Sequence, residues 1–285
     1  MHHPPYSSGR GGSATWMQWP YEDWGADMVL AGHEHNYERT SNQGRAYPVN
    51  GASGASLRDF EDWNSFTLMQ YDDLHGAQRI VVDNVKMEVD FIDTLGDIID
   101  RYTLRVGAMD AYDAGNGTVL LSEGATWSWF ATGALPVGGW ASPAFDDSTW
   151  NSGPAPLGYG NGDEATTVPF GADPTQKWTT TYFRTTFAVD SVCAMEHVRM
   201  QMARDDGAVV YLNGEEVYRV NLPEGPILYD TWAASTVGGL GEAALLDTWL
   251  DPADFVAGTN TIAVEIHQAD FDSSDIRFDL SLTAY

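Results

Sequence analysis

Cysteine is almost missing from this 285-residue chain: Cys193 stands alone, so no disulfide can form within it and packed cores or bound ions must hold it together. Flanked by Val192 and Ala194, that thiol reads as a small buried hydrophobe. Basic residues are scarce as well. Lys and Arg number 14 against 41 Asp and Glu, a formal net charge of −27, and such a surface repels nucleic-acid phosphates and anionic lipid. Nucleic acid and membranes are excluded as partners on that ground. No apolar run approaches the roughly 20 residues that span a bilayer, and no basic and apolar leader can be read at the start.

The hydrophobic content, 43%, suffices for globular cores, and the length suits two domains. Residues 107–117, rich in Ala, Asp, Gly and Asn, have linker composition, so the expected domains are 1–106 and 118–285. In the first, Thr15 to Trp24 reads as helical, and the apolar run Asp27 to Ala31 reads as a buried strand that delivers the loop Gly32 to Arg39. Ser65 to Gln70, Gln78 to Val82, Lys86 to Ile92 and Ile98 to Val106 read as a β-meander with a turn at Asp83-Asn84. Beyond the linker long helical periodicity is lacking. Short alternating runs at Tyr182–Val189, His197–Ala203, Ala208–Leu212, Thr261–His267 and Ile276–Thr283 imply a β-sandwich, with Asn213-Gly214 as its clearest hairpin turn.

Histidines carry the chemical signal. They are His2, in His2-His3-Pro4-Pro5-Tyr6, and His33 and His35, in Gly32-His33-Glu34-His35-Asn36-Tyr37-Glu38-Arg39. In extended backbone, residues i and i+2 project to one side, so His33 and His35 would face one site while Glu34 faces away. Imidazole suits zinc and iron, and Gly32 would let the backbone turn beneath the ion.

The string Gly32 to Arg39 after Asp27–Ala31 resembles the last metal motif of the purple acid phosphatases, which are calcineurin-like metallophosphoesterases. His2-His3-Pro4-Pro5-Tyr6 resembles the penultimate one. The resemblance covers roughly residues 1–106. It implies an α+β chain overall: the C-terminal part of a metallophosphoesterase α/β sandwich, followed by an all-β jelly roll. It further implies that His2, His33 and His35 bind divalent or trivalent transition metal (zinc, iron or manganese), with His3 only a neighbour. Asn36, Tyr37 and Arg39 would lie near a phosphate mono- or diester substrate, and Arg39 would contact either phosphate or the loop of Glu38. The family also draws an Asp, an Asp with a nearby Tyr and a Gly-Asn-His segment from upstream; only Met1 precedes His2, and no Gly-Asn-His occurs. Weak or absent phosphoesterase activity and at most one tightly held metal are therefore expected. Exposure of the Asp27–Ala31 edge would favour a homo-oligomer.

The second half resembles the galactose-binding-like jelly rolls of secreted bacterial hydrolases. The segments Phe145-Asp146-Asp147-Ser148-Thr149-Trp150, Leu157-Gly158-Tyr159-Gly160, Tyr182-Phe183-Arg184 and Asp205-Asp206-Gly207 carry the likeness. It implies a secreted or periplasmic location and a glycan partner met by some of Trp127, Trp129, Trp140, Trp150, Trp178, Trp232 and Trp249, whose bland role is core packing. Asp146, Asp147, Asp205, Asp206, Asp270, Asp272 and Asp275 fall in turns that suit structural calcium, or simply solvent. His267 reads as a satisfied strand histidine. Two other functions stay open: a glycan-binding or anchoring module beside a remnant hydrolase, and a carboxylic ester hydrolase, although no Gly-x-Ser-x-Gly elbow is present.

Overall fold

A computed structural model describes residues 1–21, 23–42, 45–60, 63–82, 86–105, 117–237 and 245–285. The chain divides into two compact units, Met1–Gly115 and Asn116–Tyr285. The linker expected at 107–117 lies, except for Gly117, outside the described residues, as does the turn at Asp83-Asn84.

The first unit is built from six strands: β1 (Tyr37–Asn42), β2 (Arg45–Asn50), β3 (Thr67–Tyr71), β4 (Gly76–Val82), β5 (Lys86–Asp93) and β6 (Asp97–Arg105). Strand β1 pairs antiparallel with β2 and β3, and β4, β5 and β6 form an antiparallel meander. Ala46 of β2 packs with Val89 of β5 and Tyr102 of β6, which joins the two sheets in one small core.

Two expectations fail here. Among the described residues of Thr15 to Trp24 the only helical element is a 3-10 turn at Thr15–Met17, because Pro20 lacks an N–H and keeps Trp19 out of the α region. The run Asp27 to Ala31 is not a buried central strand either. It makes two isolated parallel bridges to β2, Met28 with Ala46 and Ala31 with Val49, and Val29 and Ala31 are buried while Leu30 is 41% exposed. That alternation is how an edge segment with one covered face behaves.

The resemblance to the purple acid phosphatases is therefore overturned, and with it the α+β fold class and the calcineurin-like metallophosphoesterase fold. A calcineurin-like α/β layer needs crossover helices on a parallel sheet. The described residues contain no α-helix, only 3-10 turns, and the sheets of this unit are antiparallel. Connections as short as the one between β5 and β6 can join only antiparallel neighbours.

The second unit holds β7 (Thr118–Leu121), β8 (Thr126–Phe130), β9 (Asn151–Pro154), β10 (Leu157–Tyr159), β11 (Thr166–Thr167), β12 (Thr180–Val189), β13 (Val198–Arg204), β14 (Gly207–Leu212), β15 (Glu215–Val220), β16 (Leu222–Pro223), β17 (Leu246–Leu250), β18 (Gly258–His267) and β19 (Ile276–Ala284). One six-stranded sheet runs β11-β10-β19-β13-β17, with β7 also on β19, and the other runs β15-β14-β18-β12-β8-β9. Their inner faces meet in a single apolar core, where Phe183 of β12 stacks on Phe278 of β19 at 4.4 Å and Trp127 meets Phe278 edge-on at 4.8 Å. Asn213 and Gly214 both take positive φ, 54° and 95°, which makes the two-residue β14–β15 turn match the strand twist.

Trp140 and Trp249 are also buried, whereas Trp232 is 39% exposed. The buried Arg184 clamps the 140–147 segment to β12 through the carbonyls of Trp140 and Ser142 and the Asp147 carboxylate. Cys193 is exposed, contrary to expectation, because it sits in a 3-10 turn (Val192–Ala194) outside the ladders. Among the described residues no helix is long and apolar enough to cross a membrane.

Candidate metal centre

His2, His3 and His33 converge: one ring nitrogen from each lies within 4.8 Å of the others. The chain brings them together by backbone pairing, since the Gly32 N–H donates to the His2 carbonyl at 3.1 Å. His33 Nδ1 stands 3.1 Å from His2 Nε2, and the His3 ring lies 4.2 Å from that of His33, centre to centre. Trp16 packs edge-on to His3 at 5.4 Å. The sharp turn is made by His33 itself, at φ 73°, not by Gly32. Histidine is among the few side-chain-bearing residues that enter this left-handed region with any frequency.

That turn separates His33 from His35. Extended geometry would have aimed both at one site, but His35 Nδ1 faces the Ser56 carbonyl at 3.0 Å and stays out of the cluster. Glu34, expected to face away from that site, is completely buried. The His33 imidazolium is disfavoured first by desolvation and next by His3, with the Glu34 charge opposing, so its pKa falls below the ordinary value. A neutral ring is the form that ligates.

Asn36, Tyr37 and Arg39 lie inside the unit. Asn36 is fully buried, its Nδ2 3.4 Å from the Arg58 carbonyl. The Tyr37 hydroxyl donates to Asp100 at 2.7 Å, and its ring stacks on Phe91 at 4.0 Å. Arg39, only 2% exposed, pairs with the same carboxylate at 2.9 Å and lies over the Tyr102 ring. A carboxylate partner of Arg39 comes from β6.

Next to this core Glu38 is the hub of a buried cage. It accepts from Ser7 Oγ (2.9 Å), the Ser8 N–H (3.0 Å), Ser8 Oγ and Thr67 Oγ1 (2.9 Å), which pins the N-terminal segment against β1 and β3. Desolvation raises its pKa despite these bonds.

Sequence reasoning missed His3, Glu34 and the Glu38 cage. The His2-His3 doublet held the signal for the first, although adjacent residues of an extended segment would point to opposite faces. Among the described residues no group of carboxylates closes on a common point as the histidines do. The Asp206 oxygens accept from Val237 N and Ala269 N, Asp147 pairs with Arg184, and Asp146 caps Ser148. His267 is buried, with Nδ1 2.7 Å from the Thr231 carbonyl.

No family model and no curated protein matches this chain. Solved structures show slight similarity. "GAP50 the anchor in the inner membrane complex of Plasmodium" is 22% identical over 37% of this chain and 35% of its own, with a TM-score of 0.34. A β-glycosidase from Bacteroides vulgatus is 16% identical over 59% of this chain and 20% of its own (TM-score 0.39), and an uncultured Clostridium sp. β-glucuronidase is 13% identical over 60% and 30% (TM-score 0.37). This chain therefore spans about a third or less of the length of each. Likenesses of this size assign it neither a fold family nor an activity.

Proposed function

We propose that the first unit binds one transition-metal ion through His2, His3 and His33 and that the site hydrolyses phosphate esters. The observation that supports this reading is the convergence of three imidazoles within 4.8 Å. The donor set fits zinc or iron better than manganese, which prefers oxygen ligands. A metal bound by His2, His3 and His33 would supply either a water-derived nucleophile or a Lewis acid for the phosphoryl oxygen. The chain's part is to hold the rings in place and to orient substrate. Arg58 is exposed and close enough to His33 for its charge to be felt there, so its guanidinium can meet a phosphate in bidentate fashion. Hydrolysis of an aryl phosphate, assayed with and without added Zn2+, tests the reading. Zinc-dependent turnover that falls in Arg58→Ala supports it, and turnover that ignores zinc or chelator sinks it.

A second reading concerns the second unit. The exposed rings of Trp232 and Phe271 (39% and 45%) sit on loops tied together by the Ala233 N–H to Gln268 carbonyl bond of 2.9 Å, which suits stacking on a glycan. Retardation on immobilised polysaccharides, lost in Trp232→Ala, is the corresponding test. A secreted or periplasmic setting is the proposal that goes with the jelly-roll motifs of the second half, such as Phe145-Asp146-Asp147-Ser148-Thr149-Trp150, and cell fractionation checks it.

A further inference from the structure

Glu34 is completely buried, and its two oxygens are treated unequally. Oε1 accepts from the Gly11 N–H at 2.9 Å, while Oε2 is buried without a hydrogen-bond partner. Glycine is required around it. A Cβ on Gly9 would stand 2.7 Å from Glu34 Cγ, and one on Gly11 would stand 2.2 Å from Oε1. That same Gly11 point lies 3.5 Å from His33 Nε2, so Glu34 Oε1 and the outer edge of the imidazole border one space the size of a methyl group, within reach of a direct or water-bridged bond. The opposite edge of the ring, Nδ1, is the one turned to His2. A histidine that gives Nδ1 to a metal must carry its proton on Nε2, and that proton needs an acceptor to fix the ring.

We infer that Glu34 is the positioning residue of this site. It accepts from the His33 Nε2–H, directly or through one water, sets the tautomer that leaves Nδ1 free to ligate, and balances part of the charge the metal brings. It touches neither substrate nor metal. This also gives a physical reason for a buried carboxylate with spare acceptor capacity, an arrangement that costs free energy when it serves nothing. The glycines at 9 and 11 then serve the site as well, because a side chain at either would displace the carboxylate. The inference rests on the reading that His2, His3 and His33 hold a metal.

The test is Zn2+ affinity of the full chain, measured by calorimetry at one fixed pH for the wild type, Glu34→Gln and Gly11→Ala, with thermal melting of each metal-free protein alongside. Gln keeps an oxygen for the Gly11 N–H, so the metal-free melt should match the wild type. Zn2+ affinity should fall about 10–100-fold, the usual cost of losing such a partner. Gly11→Ala should weaken Zn2+ in the same sense, and it decides the matter should Glu34→Gln fail to fold. Wild type that binds Zn2+ with variants that bind it equally well overturns the role of Glu34 alone. A parallel loss of affinity and of metal-free stability in both variants overturns it too, as the mark of a purely structural residue. Wild type that binds no Zn2+ overturns the metal centre itself.

Discussion

Asp100 is the carboxylate on which the first unit's core turns, and its removal should be severely destabilising. It is fully buried on β6 and serves two partners from β1, the Tyr37 hydroxyl at 2.7 Å and the Arg39 Nε at 2.9 Å. Asp100→Ala takes a buried counter-charge away from the Arg39 guanidinium, which is 2% exposed. Stranding one member of a buried pair costs about 3–5 kcal/mol, and the orphaned Tyr37 hydroxyl adds to that. With a urea dependence of about 1–3 kcal/mol per molar, the midpoint for this unit should drop by about 1 M or more. Asp100→Asn keeps the shape and one acceptor, so its loss should be smaller, about 1–3 kcal/mol. Urea unfolding of both variants, followed by tryptophan fluorescence, measures the difference. A loss under about 1 kcal/mol for Asp100→Ala, against the 3–5 expected, would refute the claim that this pair holds β1 to β6. It would also reopen the possibility that Arg39 is there to meet substrate.

Other outcomes follow from the same geometry. Burial raises the Glu38 pKa above its ordinary 4.5, so the folded state holds that proton more tightly than the unfolded one and its stability contribution is present at low pH and lost as pH rises through the raised value. The stability of the wild type relative to Glu38→Gln, from urea unfolding, should therefore decline from pH near 4.5 upward; a rise would contradict the desolvation argument. Gly214→Ala forces a side chain to φ 95° and should cost about 1–3 kcal/mol in the second unit. Trp16, Trp19 and Trp24, each 48% exposed or more, should promote self-association, and light scattering of the wild type should show species that the triple Trp→Ser variant lacks.

The sandwich was legible because its strands alternate and its best turn, Asn213-Gly214, needs residues that accept positive φ. Four strands of the first unit were legible for the same reason, with element ends a residue or two off, but only β4, β5 and β6 form the expected meander, because β3 pairs with β1 in the other sheet. The motif around His33 misled because a string of residues fixes chemistry only when its backbone is the expected one. His33 at φ 73° rotates His35 away and Glu34 inward, a local choice no spacing rule contains. Likewise Tyr37 and Arg39 look like substrate ligands by type, yet Asp100, 61 or more residues downstream, draws them into the core. Such long-range pairing is invisible to periodicity.

Metal content after exhaustive dialysis against trace zinc tests the central claim most directly. One equivalent should remain on the wild type and on His35→Ala, and little on His2→Ala, His3→Ala or His33→Ala. A wild type without metal would contradict the account, as would a His35→Ala variant that loses as much as His33→Ala.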